Sequence, residues 1–167
     1  MSSARLTNPG TTPGFRPTAE NQRLAEDATM GRTVVTAKLE NLDDLFGVEK
    51  GQLTADKVRR VEVADALVDT GATGLLVPKR LIDQLGLFTY RTRDTRTIAG
   101  SASLSMYRAV RLSVQGRECI MDVAEIPDEF SVVIGQVPLE LMDWVVDPKG
   151  QRLVGNPAHG GEHMIEV

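Results

Sequence analysis

From Arg32 onward, apolar and polar positions alternate in short runs separated by glycine, proline and acidic clusters. Thr33-Val34-Val35-Thr36-Ala37-Lys38-Leu39 is β-branched and roughly alternating, which predicts a strand. Val58 to Val68 sets Val58, Arg60 and Glu62 against Val61 and Val63 before closing on Leu67-Val68, and predicts a longer strand able to pair with the first. Between them, Asn41 to Gly51 reads as acidic and turn-rich. Leu75-Leu76-Val77 predicts a short buried strand. Pro78 and Gly86 then bracket Leu81, Ile82 and Leu85 on one helical face, so Pro78 to Leu85 predicts a two-turn helix.

The second half repeats this economy of short elements. Phe88 to Ile98 alternates threonine and arginine, as an exposed or edge strand does. Ala99-Gly100-Ser101-Ala102 reads as a hairpin tip, and Ser103 to Val114 returns from it. Glu118 to Ile126 predicts the next strand and Ser131-Val132-Val133-Ile134-Gly135 another short buried one. Pro138 to Met142 predicts a second short helix. Trp144-Val145-Val146 and Arg152-Leu153-Val154 flank the turn signature Asp147-Pro148-Lys149-Gly150, giving a last hairpin. The count is eight or nine short strands and two short helices, a mainly β chain. Residues 1–29 carry Ser, Thr, Asn, Pro and Gly with few large apolar groups, and predict a disordered extension in which only Glu20 to Ala28 has helical character. Residues 30–157 form the patterned domain, and 158–167 a polar tail.

Composition narrows the function classes. A net charge of -4 offers no basic field to nucleic acid, and 4% aromatic residues offer few stacking surfaces. No apolar run approaches the ~18 residues of a membrane span, and the polar N-terminus lacks a secretory core. The expectation is a soluble, cytoplasmic chain without nucleic-acid or membrane partners. Cys119 is the single cysteine, so a disulfide framework and a cysteine metal cluster are both absent. It reads as a structural thiol rather than a nucleophile, and Trp144 as a core residue. Nothing matches a phosphate loop or a dinucleotide fingerprint, and no cofactor is expected. His159-Gly160-Gly161-Glu162-His163 spells a zinc-protease pattern, but its paired glycines oppose the helix that such a site needs. No metal is assigned, and the segment reads as a mobile tail.

Candidate chemistry concentrates at Ala66-Leu67-Val68-Asp69-Thr70-Gly71-Ala72-Thr73, where an apolar strand runs into an Asp-Thr-Gly turn and a second apolar run follows. A carboxylate placed between buried strands is costly to desolvate unless something holds it. The bland alternative is a turn aspartate capping its own loop. A carboxylate held there can act as a base toward water when ionised and as an acid when protonated. Two carboxylates sharing one proton supply both.

Leu67-Val68-Asp69-Thr70-Gly71-Ala72-Thr73 resembles the catalytic signature of the retropepsin-like aspartic proteases, and Val132-Val133-Ile134-Gly135 resembles that family's second signature. The resemblance spans about Arg32 to Pro157 and includes a hairpin where the family places its flap. It implies a closed β barrel of the acid-protease fold, a peptide or protein substrate, and an aspartic endopeptidase built on Asp69, Thr70 and Gly71. Ala72, Thr73, Ile98, Ala99, Gly100, Ser101, Ile134 and Gly135 are then the implied substrate-side residues. Thr70 is expected to grip across subunits. Gly71 is expected to allow close approach and positive φ, and Gly135 to let the underlying loop pack without a side chain in the way. The Gly100-Ser101 turn also fits a plain hairpin. Only one motif is present, so the second carboxylate is expected from Asp69 of a second copy in a symmetric homodimer. Thr73 and Gln136 stand where the viral enzymes typically place an acid and an arginine. That departure keeps open a catalytically silent dimerisation or peptide-binding module.

Overall fold

The computed structural model describes residues 32–164. The extension expected at 1–29, with its short helix, lies outside them. The described chain is mainly β, with nine strands and three α-helices. In order these are β1 (Thr33–Asn41), α1 (Leu42–Glu49), β2 (Arg60–Val68), β3 (Leu75–Pro78), α2 (Lys79–Leu85), β4 (Thr89–Thr97), β5 (Gly100–Val114), β6 (Arg117–Ile126), β7 (Val133–Ile134), α3 (Gln136–Leu141), β8 (Trp144–Asp147) and β9 (Arg152–Gly155). Single 3-10 turns occupy Ala55–Lys57 and Pro157–His159. No helix among the described residues is long and apolar enough to cross a membrane.

Seven strands make one mixed sheet in the order β1-β2-β7-β3-β6-β5-β4, and β1 pairs additionally with β5. The hairpin expected from the first two strands is present, with Thr33 opposite Val68 and a register shift between Val35 and Ala37. Alternate residues Val35, Ala37 and Leu39 of β1 point into a core that also holds Leu75, Val77, Leu112, Val123 and Ile134. β4 forms an edge of the sheet, in keeping with its run of arginines and threonines. β8 and β9 form a separate two-stranded sheet.

Two helices were expected and three are present. The third is α1, within the segment read as a turn-rich loop. Asn41 caps it by accepting a hydrogen bond from the Asp44 amide at 3.0 Å, and Asp43 and Asp44 lie in its first turn, where negative charge favours the helix dipole. Asn41 is itself 2% exposed and donates its side-chain amide to the Leu85 carbonyl at 2.8 Å. One residue therefore fixes the start of α1 and the end of α2. On α2, Pro78 stands at the N-cap and Gly86 ends the helix with φ 62, while Leu81, Ile82 and Leu85 are buried.

Beside Asn41 lies Glu40, 2% exposed. Arg111 donates to Glu40 Oε1 at 2.9 and 3.2 Å, Arg60 approaches Oε2 at 3.3 Å, and Lys38 is 3.7 Å from Oε1. Burial pushes the Glu40 carboxyl up, but the Arg111 hydrogen bonds and the charges of Arg111, Lys38 and Arg60 hold it below its ordinary value. This cluster ties β1 to β5 where the two strands pair.

Candidate active site

The Asp-Thr-Gly turn follows β2 directly, and its position is set by β7. That two-residue strand inserts between β2 and β3. It runs parallel to β2, with Leu67 opposite Val133, and antiparallel to β3, with Leu75 opposite Ile134. Backbone bonds continue the ladder beyond the strands. The Leu67 amide donates to Val132 O at 2.8 Å and the Asp69 amide to Ile134 O at 3.0 Å. On the other side Gly135 N donates to Gly74 O, Gln136 N to Ala72 O and Val137 N to Thr73 O, at 2.8, 2.8 and 2.9 Å. The loop bearing Asp69 is thus sewn along its length to the strand that ends in Gly135. Both apolar signatures are used, one for each side of the seam.

Gly135 is the tight point. A Cβ there would lie 2.5 Å from Gly74 O and 2.6 Å from Ala72 O, both backbone atoms, so only glycine lets the two loops touch. Gly71 acts differently from expectation. It is not among the positive-φ residues of the described chain. Its amide donates to Asp69 Oδ1 at 2.8 Å, and a Cβ would meet that oxygen at 3.0 Å. The glycine is therefore needed for closeness to the carboxylate rather than for handedness.

Asp69, Thr70, Gly71 and Thr73 are exposed in the single chain and Ala72 is half-buried, so the carboxylate that looked enclosed by apolar runs opens to solvent. The flanking Val68, Leu75 and Ile134 are buried, and the turn projects from them. Ile134 is fully buried with its side chain in the core, and Gly135 is buried beneath the loop. Ile98, Ala99, Gly100 and Ser101 belong to a separate element, the exposed end of the β4–β5 hairpin. The hairpin tip is Ile98-Ala99 rather than the glycine itself, because Thr97 pairs with Gly100 and Arg96 with Ser101.

Three participants in the seam were not anticipated: the Gly74 carbonyl and the amides of Gln136 and Val137. The signal for Gly74 was present, since a second glycine three positions after Gly71 precedes an apolar strand. The Gln136 side chain donates to Glu140 Oε1 at 2.8 Å along its own helix. The histidine segment is seated rather than mobile. His159 Nδ1 lies 2.7 Å from Asp143 Oδ2, and Arg117 donates to Gly161 O at 2.6 Å. No group of three or more His, Cys, Asp or Glu residues suited to a metal ion occurs among the described residues. Cys119 is half-buried, and burial pushes its thiol up to about 11, the wrong direction for a nucleophile.

A mainly β chain whose Asp-Thr-Gly loop is stitched to an apolar strand ending in glycine defines a class of hydrolytic scaffold. The family model for aspartyl proteases matches residues 53–138, just over half of the 167 residues, and the chain belongs to that family, within the retropepsin-like group. The matched stretch contains the Asp69 loop, the β4–β5 hairpin and Gly135. A comparison with the curated proteins finds none that matches.

Proposed function

We propose that the chain is an aspartic endopeptidase whose active site forms at the two-fold axis of a homodimer, with Asp69 of each copy supplying one carboxylate. The observation that carries this reading is the seam between the Asp69 loop and β7. It fixes a carboxylate that is solvent-open in one chain, gives it the Gly71 amide on one oxygen, and leaves it without a second carboxylate from its own loop. The return pairing of β1 with β5 supports reading the main sheet as the closed barrel of the acid-protease fold.

In this reading the two carboxylates share one proton, because like charges in contact cannot both ionise. The ionised Asp69 accepts a proton from the bound water as its oxygen attacks the peptide carbonyl carbon. The protonated Asp69 of the other copy donates to the carbonyl oxygen, giving a tetrahedral diol. Collapse of the diol breaks the C–N bond: a diol hydroxyl returns its proton to the now ionised Asp69 of the other copy, and the first Asp69 gives the proton it took from water to the leaving amine, so the pair regains its single proton. Thr70 grips across the axis, Ala72 and Thr73 border the peptide, and the Ile98–Ser101 tip closes over it. No metal or cofactor enters the scheme.

The test is hydrolysis of an unstructured protein by wild type and Asp69→Asn from pH ~3 to 7, the range where a proton-sharing dyad operates. Asp69→Asn is expected to fall by about 10³-fold or more. Equal rates in the two proteins would sink the proposal, and a dimer inactive in both would identify a silent binding module.

A further inference from the structure

β4 is a free edge of the seven-stranded sheet, bonded only to β5 among the described residues. Its nine residues hold three arginines against one aspartate, in a chain whose net charge is -4. Arg91, Arg93 and Arg96 are all exposed. The arginine ion pairs among the described residues occupy Arg59, Arg60, Arg111 and Arg152, and none of these three. Arg91 lies over the Tyr90 ring at 5.0 Å, and Asp94, the strand's one acid, accepts from Ser103 Oγ at 2.9 Å. Side chains alternate along a strand, so Arg91 and Arg93 share one face of the hairpin about 7 Å apart. Half-buried Met106 and Leu104 stand across from them on β5. Asp94 and Arg96 share the other face.

We propose that the outer edge of β4 receives an extended acidic stretch of the protein to be cut, with Asp or Glu at alternate positions. The inference rests on the peptidase reading of Asp69 and adds the class of substrate. An edge strand turns the amides and carbonyls of alternate residues outward, and an added strand bonds to them whatever its sequence. Sequence enters through the faces. A residue opposite Arg91 and another two places along meet Arg91 and Arg93 on one face, at a cross-strand distance of about 5 Å. Acids at both positions pair with both guanidiniums, whereas acids at successive positions send one to the far face. Solubility alone asks for charge of either sign, but this face carries only one. The same arginines turn away a second copy's β4, because like charges set opposite each other oppose pairing. An acidic strand meets no such barrier. Nucleic acid is the poorer occupant, since a phosphate backbone cannot continue the ladder and Tyr90 is the one aromatic ring on β4. β4 runs directly into the Ile98-Ala99 tip. A substrate docked along β4 is thereby held beside the element that, in the peptidase reading, closes over the scissile bond.

Fluorescence anisotropy of labelled peptides on the full-length Asp69→Asn chain, which is expected not to cut them, tests this at about pH 6, where glutamates are ionised. A peptide alternating Glu and Thr is expected to bind at least about tenfold tighter than one alternating Gln and Thr. It should also bind tighter than a Glu-Glu-Thr-Thr repeat of the same charge, and the advantage should shrink as salt is added. Introducing Arg91→Glu and Arg93→Glu together, both at exposed positions, should leave the circular dichroism spectrum unchanged and move the preference to a peptide alternating Lys and Thr. Wild type should cut an unstructured protein carrying the Glu-Thr stretch with a lower KM than the same protein carrying Gln-Thr, at similar kcat. Equal binding of the Glu and Gln peptides, equal binding of the two acidic spacings, or an unchanged preference in the folded double variant overturns the proposal and leaves the Asp69 reading standing. Tighter binding of a single-stranded oligonucleotide than of the acidic peptide does the same. Charge-selective binding by a chain whose wild type cuts neither protein upholds the acidic edge and overturns the peptidase reading.

Discussion

A Cβ on Gly135 would lie 2.5 Å from one backbone oxygen and 2.6 Å from another, so the loop holding Asp69 would have to move to admit it. Neither neighbour is the end of a flexible side chain. Gly135→Ala is therefore expected to cost about 2–3 kcal/mol in stability. It should also lower hydrolysis by roughly 100-fold, as a displacement of about 1 Å at a catalytic group does. Chemical denaturation and steady-state rates on the same preparation check both numbers. A stable Gly135→Ala with full activity would show that the seam does not position the carboxylate. Gly71→Ala makes a gentler comparison, because its Cβ meets the Asp69 carboxylate oxygen at 3.0 Å and that side chain can give way by a few tenths of an ångström.

Among the elements, those legible in the sequence are the ones whose signals are local. The β1–β2 hairpin shows in the alternation of Val35, Ala37 and Leu39, α2 in its Pro78 and Gly86 boundaries, and β4 in residues too polar for anything but an edge. Asp69 was legible because an Asp-Thr-Gly turn between two apolar runs is unusual, and Gly135 because a glycine ends an apolar run. The insertion of β7 between β2 and β3 was not legible, since a two-residue strand pairing across such separations leaves no periodicity. α1 was hidden by Asp43, Asp44 and Gly47, which read as turn chemistry until Asn41 is seen to cap them. Glu40 was hidden for the opposite reason: one acid at the end of an alternating strand looks solvated, and its cations come from β2 and β5 as well as β1. Removing the charge while keeping the shape, as in Glu40→Gln, leaves Arg111 half-buried without its partner. About 3 kcal/mol of stability is expected to go with it, read from the midpoint of a urea transition. An unchanged midpoint would mean that the three cations reach water without cost.

At the scale of the whole molecule, the proposed proton-sharing dyad sets a demand on the rest of the chain, because a site that acts in acid needs carboxylates elsewhere to keep their charge. Glu40 and Asp143 both meet it. The His159 hydrogen bond, with those of Asn156 and the Met164 amide, holds the Asp143 carboxyl at about 2 despite its burial. A carboxyl depressed in the folded state stabilises fully above its unfolded value, about pH 4, and that contribution fades as pH falls toward about 2. These bonds from Asn156, His159 and Met164 to Asp143 clasp residues 156–164 to the end of α3, and the clasp stays ionised through the range in which Asp69 is proposed to act. Asp143→Asn should melt below wild type at about pH 5. The gap should narrow between about pH 4 and pH 2, where wild type loses the same charge by protonation. Thermal melts at matched ionic strength across that range measure it. A gap that stays constant down to pH ~2 would assign the clasp to packing and neutral hydrogen bonds.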